Sequence, residues 1–132
     1  TGGVIEASTP NLKKGTCGGR VPETELHACY RGAVCCVFPS IYEGFGLPPV
    51  EAMEAGCPVV ARDIPVLREV CGQAALFGRD PSDLTARVVE LLDQPNRAND
   101  LCCAGYEQVQ KYRWTIAARQ LLDIMREEFI KC

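Results

Sequence analysis

The stretch "AVCCVFPSIYEGFGLPPVEAMEAGCPVVA", residues 33–61, decides how this chain is read. It opens on an unbroken apolar run, 33–38, stopped by Pro39. Such a run is how a strand buried on both faces reads. It closes on a second run of the same kind, "PVVA" at 58–61. Between them lie a glycine turn and then Pro48 and Pro49, which suit the first turn of a helix. That helix is predicted to reach about Ala55 and to be closed by Gly56. A strand, a helix and a second strand in this order predict a parallel pair, because parallel strands need a crossover connection.

The alternation continues outward. "PVLREV" (65–70) predicts a short helix closed near Gly72, and "AALF" (74–77) predicts a third strand. Asp83 to Asp93 carries Leu84, Val88, Leu91 and Leu92 at helical spacing, and 97–112 and 115–130 read as two further helices. Upstream, Pro22 followed by Glu23 and Glu25 marks a helix over 22–31 with an apolar stripe of Leu26, Cys29 and Tyr30. Residues 1–20, rich in Gly, Thr, Lys and Asn, read as mostly loop. The predicted fold class is α/β, a Rossmann-like parallel sheet with helices on both faces. The loop-rich segment 1–20 precedes one such domain over 21–132.

Composition narrows the function classes. The chain has 132 residues, 47% hydrophobic and 23% charged, enough for one domain with a core. A net charge of -3 argues against a nucleic-acid partner. No apolar run approaches the ~20 residues of a membrane span. Nine cysteines, an odd number, with no Cys-x-x-Cys pair and one histidine, argue against a zinc site. Odd thiols suit a reduced, cytoplasmic chain, with Cys35 and Cys36 acting as small buried hydrophobes.

The chemistry gathers at 39–57. In open parallel sheets ligands bind beyond the carboxyl ends of the strands, which is where this turn lies. Gly44 and Gly46 let the backbone come close to a ligand. Amides ahead of a helix can hold an anion. Pro48 and Pro49 lack an N–H, so the donors would be Gly44 through Leu47 and Val50. Residues 39–57 carry three glutamates and no cation. Carboxylates repel phosphate, so they suit hydroxyl groups or a developing positive charge at a sugar carbon. A plainer reading stays open for each: Glu43 as a solvated loop residue, and Glu51 as a first-turn acid gaining roughly 0.3–1 kcal/mol from the helix dipole.

The stretch from Val37 to Phe77 resembles the donor-binding signature of the retaining glycosyltransferases of family four, which have the GT-B fold. The likeness rests on Pro39-Ser40, Tyr42-Glu43-Gly44-Phe45-Gly46-Leu47-Pro48, Glu51-Ala52-Met53, Gly56 with Pro58-Val59-Val60, Leu67 with Glu69-Val70, and Gly72. It extends over about 19–130, through "GRVPETELHACYRGA" upstream and "YRW" downstream. The resemblance implies binding of a nucleotide diphosphate sugar, without metal or other cofactor, and retaining transfer of the sugar. It implies that Glu43 is catalytic, orienting a sugar hydroxyl and stabilising charge at the anomeric carbon. Glu51 would bind the ribose. The amides of Gly44, Phe45, Gly46 and Leu47 would face sugar and diphosphate, and the backbone near Val21 the nucleobase. Glu69 matches without a ligand role. Trp114 is expected to anchor the last helix by packing, Tyr30 to belong to the core, and His27 to lie on the surface.

The chain departs from the family at its start. The family has an N-terminal acceptor domain, then a first strand with a glycine turn, an arginine and a lysine that clamp the diphosphate. These are unmatched, and Lys13 and Lys14 do not fit that pattern. The expectation is an N-terminally truncated GT-B donor domain, inactive alone, whose acceptor domain acts in cis or in trans. Any membrane association would come through that missing domain. The strand at 33–38 would then present an open edge, which favours a homodimer or a new pairing by the N-terminal segment. The alternative functions are a non-catalytic nucleotide-binding or interaction module, and a subunit completed by a separate acceptor-domain chain.

Overall fold

The computed structural model describes residues 20–130. The expectations for residues 1–19, the loop-rich segment and its edge pairing, lie outside the described residues. The elements alternate as the sequence predicts: α1 (Glu23–Gly32), β1 (Cys36–Phe38), α2 (Leu47–Glu54), β2 (Val59–Arg62), α3 (Pro65–Cys71), β3 (Ala75–Gly78), α4 (Pro81–Asp93), α5 (Pro95–Val109), a 3-10 turn (Gln110–Tyr112) and α6 (Trp114–Ile130). The described strands form one parallel sheet in the order β1-β2-β3. Cys36 faces Val59, and Val59 faces Ala75.

Alternation along the strands builds two cores, because successive side chains point to opposite faces. Cys36, Val59, Ala61 and Ala75 join Met53, Leu67, Val70 and Val109 on one face. Val60 and Leu76 join Leu84, Leu91 and Leu101 on the other. Helices therefore cover both faces, and Val59, Val60 and Ala61 are fully buried. Helix α5 serves both cores, Leu101 in one and Val109 in the other.

Local chemistry fixes the boundaries. Helix α2 ends in a pair of bonds characteristic of a left-handed stop: Cys57 N–H donates to the Ala52 carbonyl at 2.9 Å, and Gly56 N–H to that of Met53 at 3.0 Å. Gly56 supplies the positive φ, +76°. Helix α4 starts at Pro81 rather than Asp83, because the Asp80 side chain accepts from the Asp83 N–H at 2.8 Å and caps the helix. The predicted strand 33–38 is shorter than expected. Helix α1 runs to Gly32, and Ala33, extended and in an isolated bridge, still donates its N–H to the Tyr30 carbonyl, so the continuous strand starts only at Cys36.

Two expectations about single side chains divide. Tyr30 is in the core, 6% exposed, and His27 is exposed, as predicted. Trp114 is 90% exposed, so it does not anchor the last helix by packing. The reason is that α6 leaves the domain after meeting the 3-10 turn, and its residues are exposed along its length. No described helix is long and apolar enough to cross a membrane.

The thiols follow burial. Cys35, Cys36, Cys57 and Cys71 are buried, and Cys103 is exposed. Burial pushes the Cys71 thiol up to about 11, and thiolate is the reactive form. Iodoacetamide at mildly alkaline pH is therefore expected to label Cys103 rapidly. Cys36 and Cys71 should react only after unfolding. Peptide mass mapping over a time course checks this, and equal labelling of Cys71 and Cys103 in the folded chain contradicts it.

Candidate functional site

The loop leaving the carboxyl end of β1 runs from Pro39 to Gly46 and enters α2 directly. Gly46 is the N-cap, with φ +93°, a conformation costly for any residue with a Cβ. A Cβ there would also stand 2.9 Å from Leu67 Cδ2. The turn therefore rests on α3 through a fully buried leucine. Gly44 has open space where a Cβ would be and no positive φ, so its freedom serves no packing contact.

The donors are narrower than the sequence suggested. Helix α2 begins at Leu47, with prolines following at once. Val50 is its fourth residue, and an α-helix turns that N–H back on the N-cap carbonyl. The available amides are those of Gly44, Phe45, Gly46 and Leu47. None of them donates to another described residue. A double proline at the helix start removes the competing donors and leaves this short arc of N–H groups.

The two glutamates lie on either side of that arc. Glu43 is half-buried before it, and Glu51 is exposed on α2 after it. Glu51 is the fifth helical residue, and the first turn of α2 holds no acid. The dipole reading of Glu51 therefore loses its basis, since that effect fades within the first turn. Neither carboxylate forms a hydrogen bond or ion pair with another described residue. Glu51 does act on Tyr30, whose phenol is pushed up to about 12, first by burial and then by nearby thiols and this carboxylate. Two carboxylates flanking four amides, all without a partner among the described residues, can accept from hydroxyls and donate to an anion at once.

The structure thus brings Glu43, Gly44, Phe45, Gly46, Leu47 and Glu51 onto one loop and helix. Val21 stands apart from them in the chain, half-buried at the start of α1, a helix that packs on α2. Sequence reasoning missed what stands behind the loop. Phe45 meets the Tyr112 ring edge to face, centroids 5.4 Å apart and planes at 86°. Tyr112 was visible only as part of "YRW", and nothing local in that triplet points to residue 45.

A second constellation sits at the same edge of the sheet. Asp63, just beyond β2, takes two bonds from the Arg68 guanidinium, the Nη2 bond at 2.8 Å. These bonds hold the Asp63 carboxyl below its usual range. The same guanidinium lies 4.6 Å above the Phe77 ring. Arg68 is thus committed to tying α3 to the sheet.

These features define a class: a parallel α/β domain whose candidate site is a glycine turn with flanking carboxylates at the carboxyl edge of the sheet. The family described as "Glycosyl transferases group 1" matches residues 9–108, and the chain belongs to it. It is 35% identical over 108 residues to O-antigen chain mannosyltransferase B of Escherichia coli, covering 80% of this chain and 28% of that protein. It is 32% identical over 110 residues to D-inositol 3-phosphate glycosyltransferase of Thermobispora bispora, covering 80% of this chain and 26% of that one. Among solved structures it is similar to sucrose-phosphate synthase from Thermosynechococcus elongatus. There the TM-score is 0.75 at 31% identity, over 86% of this chain and 30% of that one. The fold is accordingly the α/β fold of a GT-B glycosyltransferase. The chain spans less than a third of the length of these relatives.

Proposed function

We propose that this chain is the donor-binding part of a retaining glycosyltransferase of family four and takes a nucleotide diphosphate sugar. The observation that carries this reading is an arc of four amides between two carboxylates, none of which has a hydrogen-bond or ion-pair partner among the described residues, in a chain of this family. Charge assigns the parts. Carboxylates repel a diphosphate, so the amides of Gly44, Phe45, Gly46 and Leu47 face the anion. Glu43 and Glu51 then accept from hydroxyls, Glu43 on the sugar and Glu51 on the ribose. Glu43 is the catalytic residue in this reading. Its negative charge beside the anomeric carbon stabilises the oxocarbenium-like transition state as the bond to the diphosphate breaks. The nucleobase lies by the backbone near Val21. No metal is needed for these roles, because backbone N–H groups meet the leaving diphosphate. The acceptor is brought to the same carbon by a second, N-terminal domain, in cis or in trans.

The test is an NMR titration of the chain with UDP, GDP and ADP and their sugars. The expected result is saturable movement of the Gly44 to Leu47 amides, strongest for one base. Glu51→Gln should weaken that binding about tenfold, since hydrogen bonds to a charged acceptor contribute about 1.5–3 kcal/mol each. Amides that stay in place with all three nucleotides and their sugars would overturn the reading.

A further inference from the structure

We infer that Tyr112 is the positioning residue of the glycine turn, holding Phe45 so that the neighbouring amides keep one shape. This rests on the donor-site reading above and adds a residue to it.

The turn needs such a residue. Phe45 stands between two glycines and is 42% exposed. Gly44 has no Cβ, and there is open space where one would stand, so that side of the turn has wide backbone freedom. Gly46 is restrained from behind by Leu67, which limits residue 46 and leaves the Phe45 ring unheld. The ring contact of residue 45 among the described residues is with Tyr112, centroids 5.4 Å apart and planes at 86°. That perpendicular arrangement is a preferred geometry for two aromatic rings.

Tyr112 can serve as a fixed point because it is itself tied down. Its hydroxyl donates to the Val70 carbonyl at 3.1 Å, with the Glu69 carbonyl at 3.4 Å. The Gln108 side-chain N–H reaches the same Val70 carbonyl at 2.8 Å and is buried. Lys111 Nζ in turn donates to Gln108 Oε1 at 2.7 Å. The end of α3 is thereby bolted to the end of α5 and the 3-10 turn. Leu67 and Val70 belong to that one short helix. So Gly46 rests on α3 directly, and Phe45 rests on it through Tyr112. Two supports with one foundation define the path of residues 44–47. Loss of the Tyr112 ring would leave residue 46 seated and release residue 45.

The experiment compares the chain with Tyr112→Phe, Tyr112→Ala, Tyr112→Leu and Val109→Ala. Val109 is buried in the same core and stands for simple loosening of the domain. Amide shifts of residues 44–47 are read in the free chain, and dissociation constants are read with UDP and GDP. Tyr112→Phe keeps the ring but loses its hydroxyl anchor on Val70, so its affinity should fall between those of the unsubstituted chain and the ring-deleted variants. Tyr112→Ala and Tyr112→Leu should displace the 44–47 amides and weaken binding about three- to tenfold, the range one aromatic pair supports. Val109→Ala should lower the unfolding midpoint and leave both readouts unchanged. If Tyr112→Ala does not fold, Tyr112→Leu, which keeps apolar bulk, decides. Unmoved amides with unchanged affinity in the ring-deleted variants overturn the proposal. So does a Val109→Ala variant that matches them. Should the unsubstituted chain bind neither nucleotide, the donor-site reading fails. The amide shifts then judge the positioning role by themselves, displaced amides supporting it and unmoved ones ending it.

Discussion

Leu67→Ala is expected to cost about 2–5 kcal/mol of folding stability, the range for truncating a buried leucine. Leu67 is fully buried in the core that joins the sheet to α2, α3 and α5. Against a total of roughly 5–15 kcal/mol for a domain, that is a large fraction. The same side chain is the wall behind Gly46, so a second effect should appear at the candidate site. Gly46→Ala alone must pay both for its positive φ and for the contact with Leu67 Cδ2. In the Leu67→Ala background the steric part disappears and only the backbone part remains, about 1–2 kcal/mol. The two substitutions should therefore be less than additive, as contacting residues are. Urea unfolding of the chain, both single variants and the double variant measures this. Full additivity would show that the turn does not rest on α3.

Gly78→Ala is expected to destabilise by about 3 kcal/mol, the upper end of the overpacking range. Gly78 closes β3, and a Cβ there would stand 2.7 Å from the Leu84 backbone nitrogen and 3.0 Å from the Asp83 carbonyl carbon. Those atoms belong to the first turn of α4 and cannot rotate away. The helix would have to move off the sheet, taking Leu84 with it out of the second core. The usual sign of a glycine-to-alanine change is the opposite, a gain of about 0.4–1 kcal/mol from a stiffer unfolded chain where the new residue fits. Gly44→Ala supplies that contrast, since nothing lies within 4 Å of its Cβ. Equal unfolding midpoints for the two variants would contradict the close approach of β3 and α4.

Much of the fold was legible because its signals are local. The runs at 58–61 and 74–77 are apolar without alternation, and the strands they predict are buried on both faces. Gly56 and Gly72 mark the ends of α2 and α3, and both have positive φ. The errors lie where local and tertiary preferences compete. Residues 33–35 are apolar enough for a strand, yet Ala33 follows the end of α1 directly and makes only an isolated bridge before the strand starts at Cys36. Trp114 has the bulk of a packing anchor, but α6 offers it no described neighbour to pack on.

The candidate site divides in the same way. The order Glu43, glycine turn, proline pair, Glu51 can be read directly, because the turn and helix that carry it are continuous in the chain. The number of usable amides could not, since it depends on the helix starting at Leu47 and consuming the Val50 N–H. The supports of the turn were also hidden. Leu67 and Tyr112 reach residues 46 and 45 only once α3 and α5 have packed beside α2.

By itself, then, the sequence determined the alternation of strands and helices, the placing of a glycine turn with two carboxylates beyond a buried strand, and the resemblance to a glycosyltransferase family. Periodicity and turn chemistry are properties of neighbouring residues, so one chain is enough to show them. Only the tertiary structure decided that Gly46 rests on Leu67, that Phe45 meets Tyr112, that β3 leaves no room for a Cβ at residue 78, and that Trp114 is bare. Those outcomes depend on the distances between packed elements, where a shift of an ångström turns a contact into a clash or a gap.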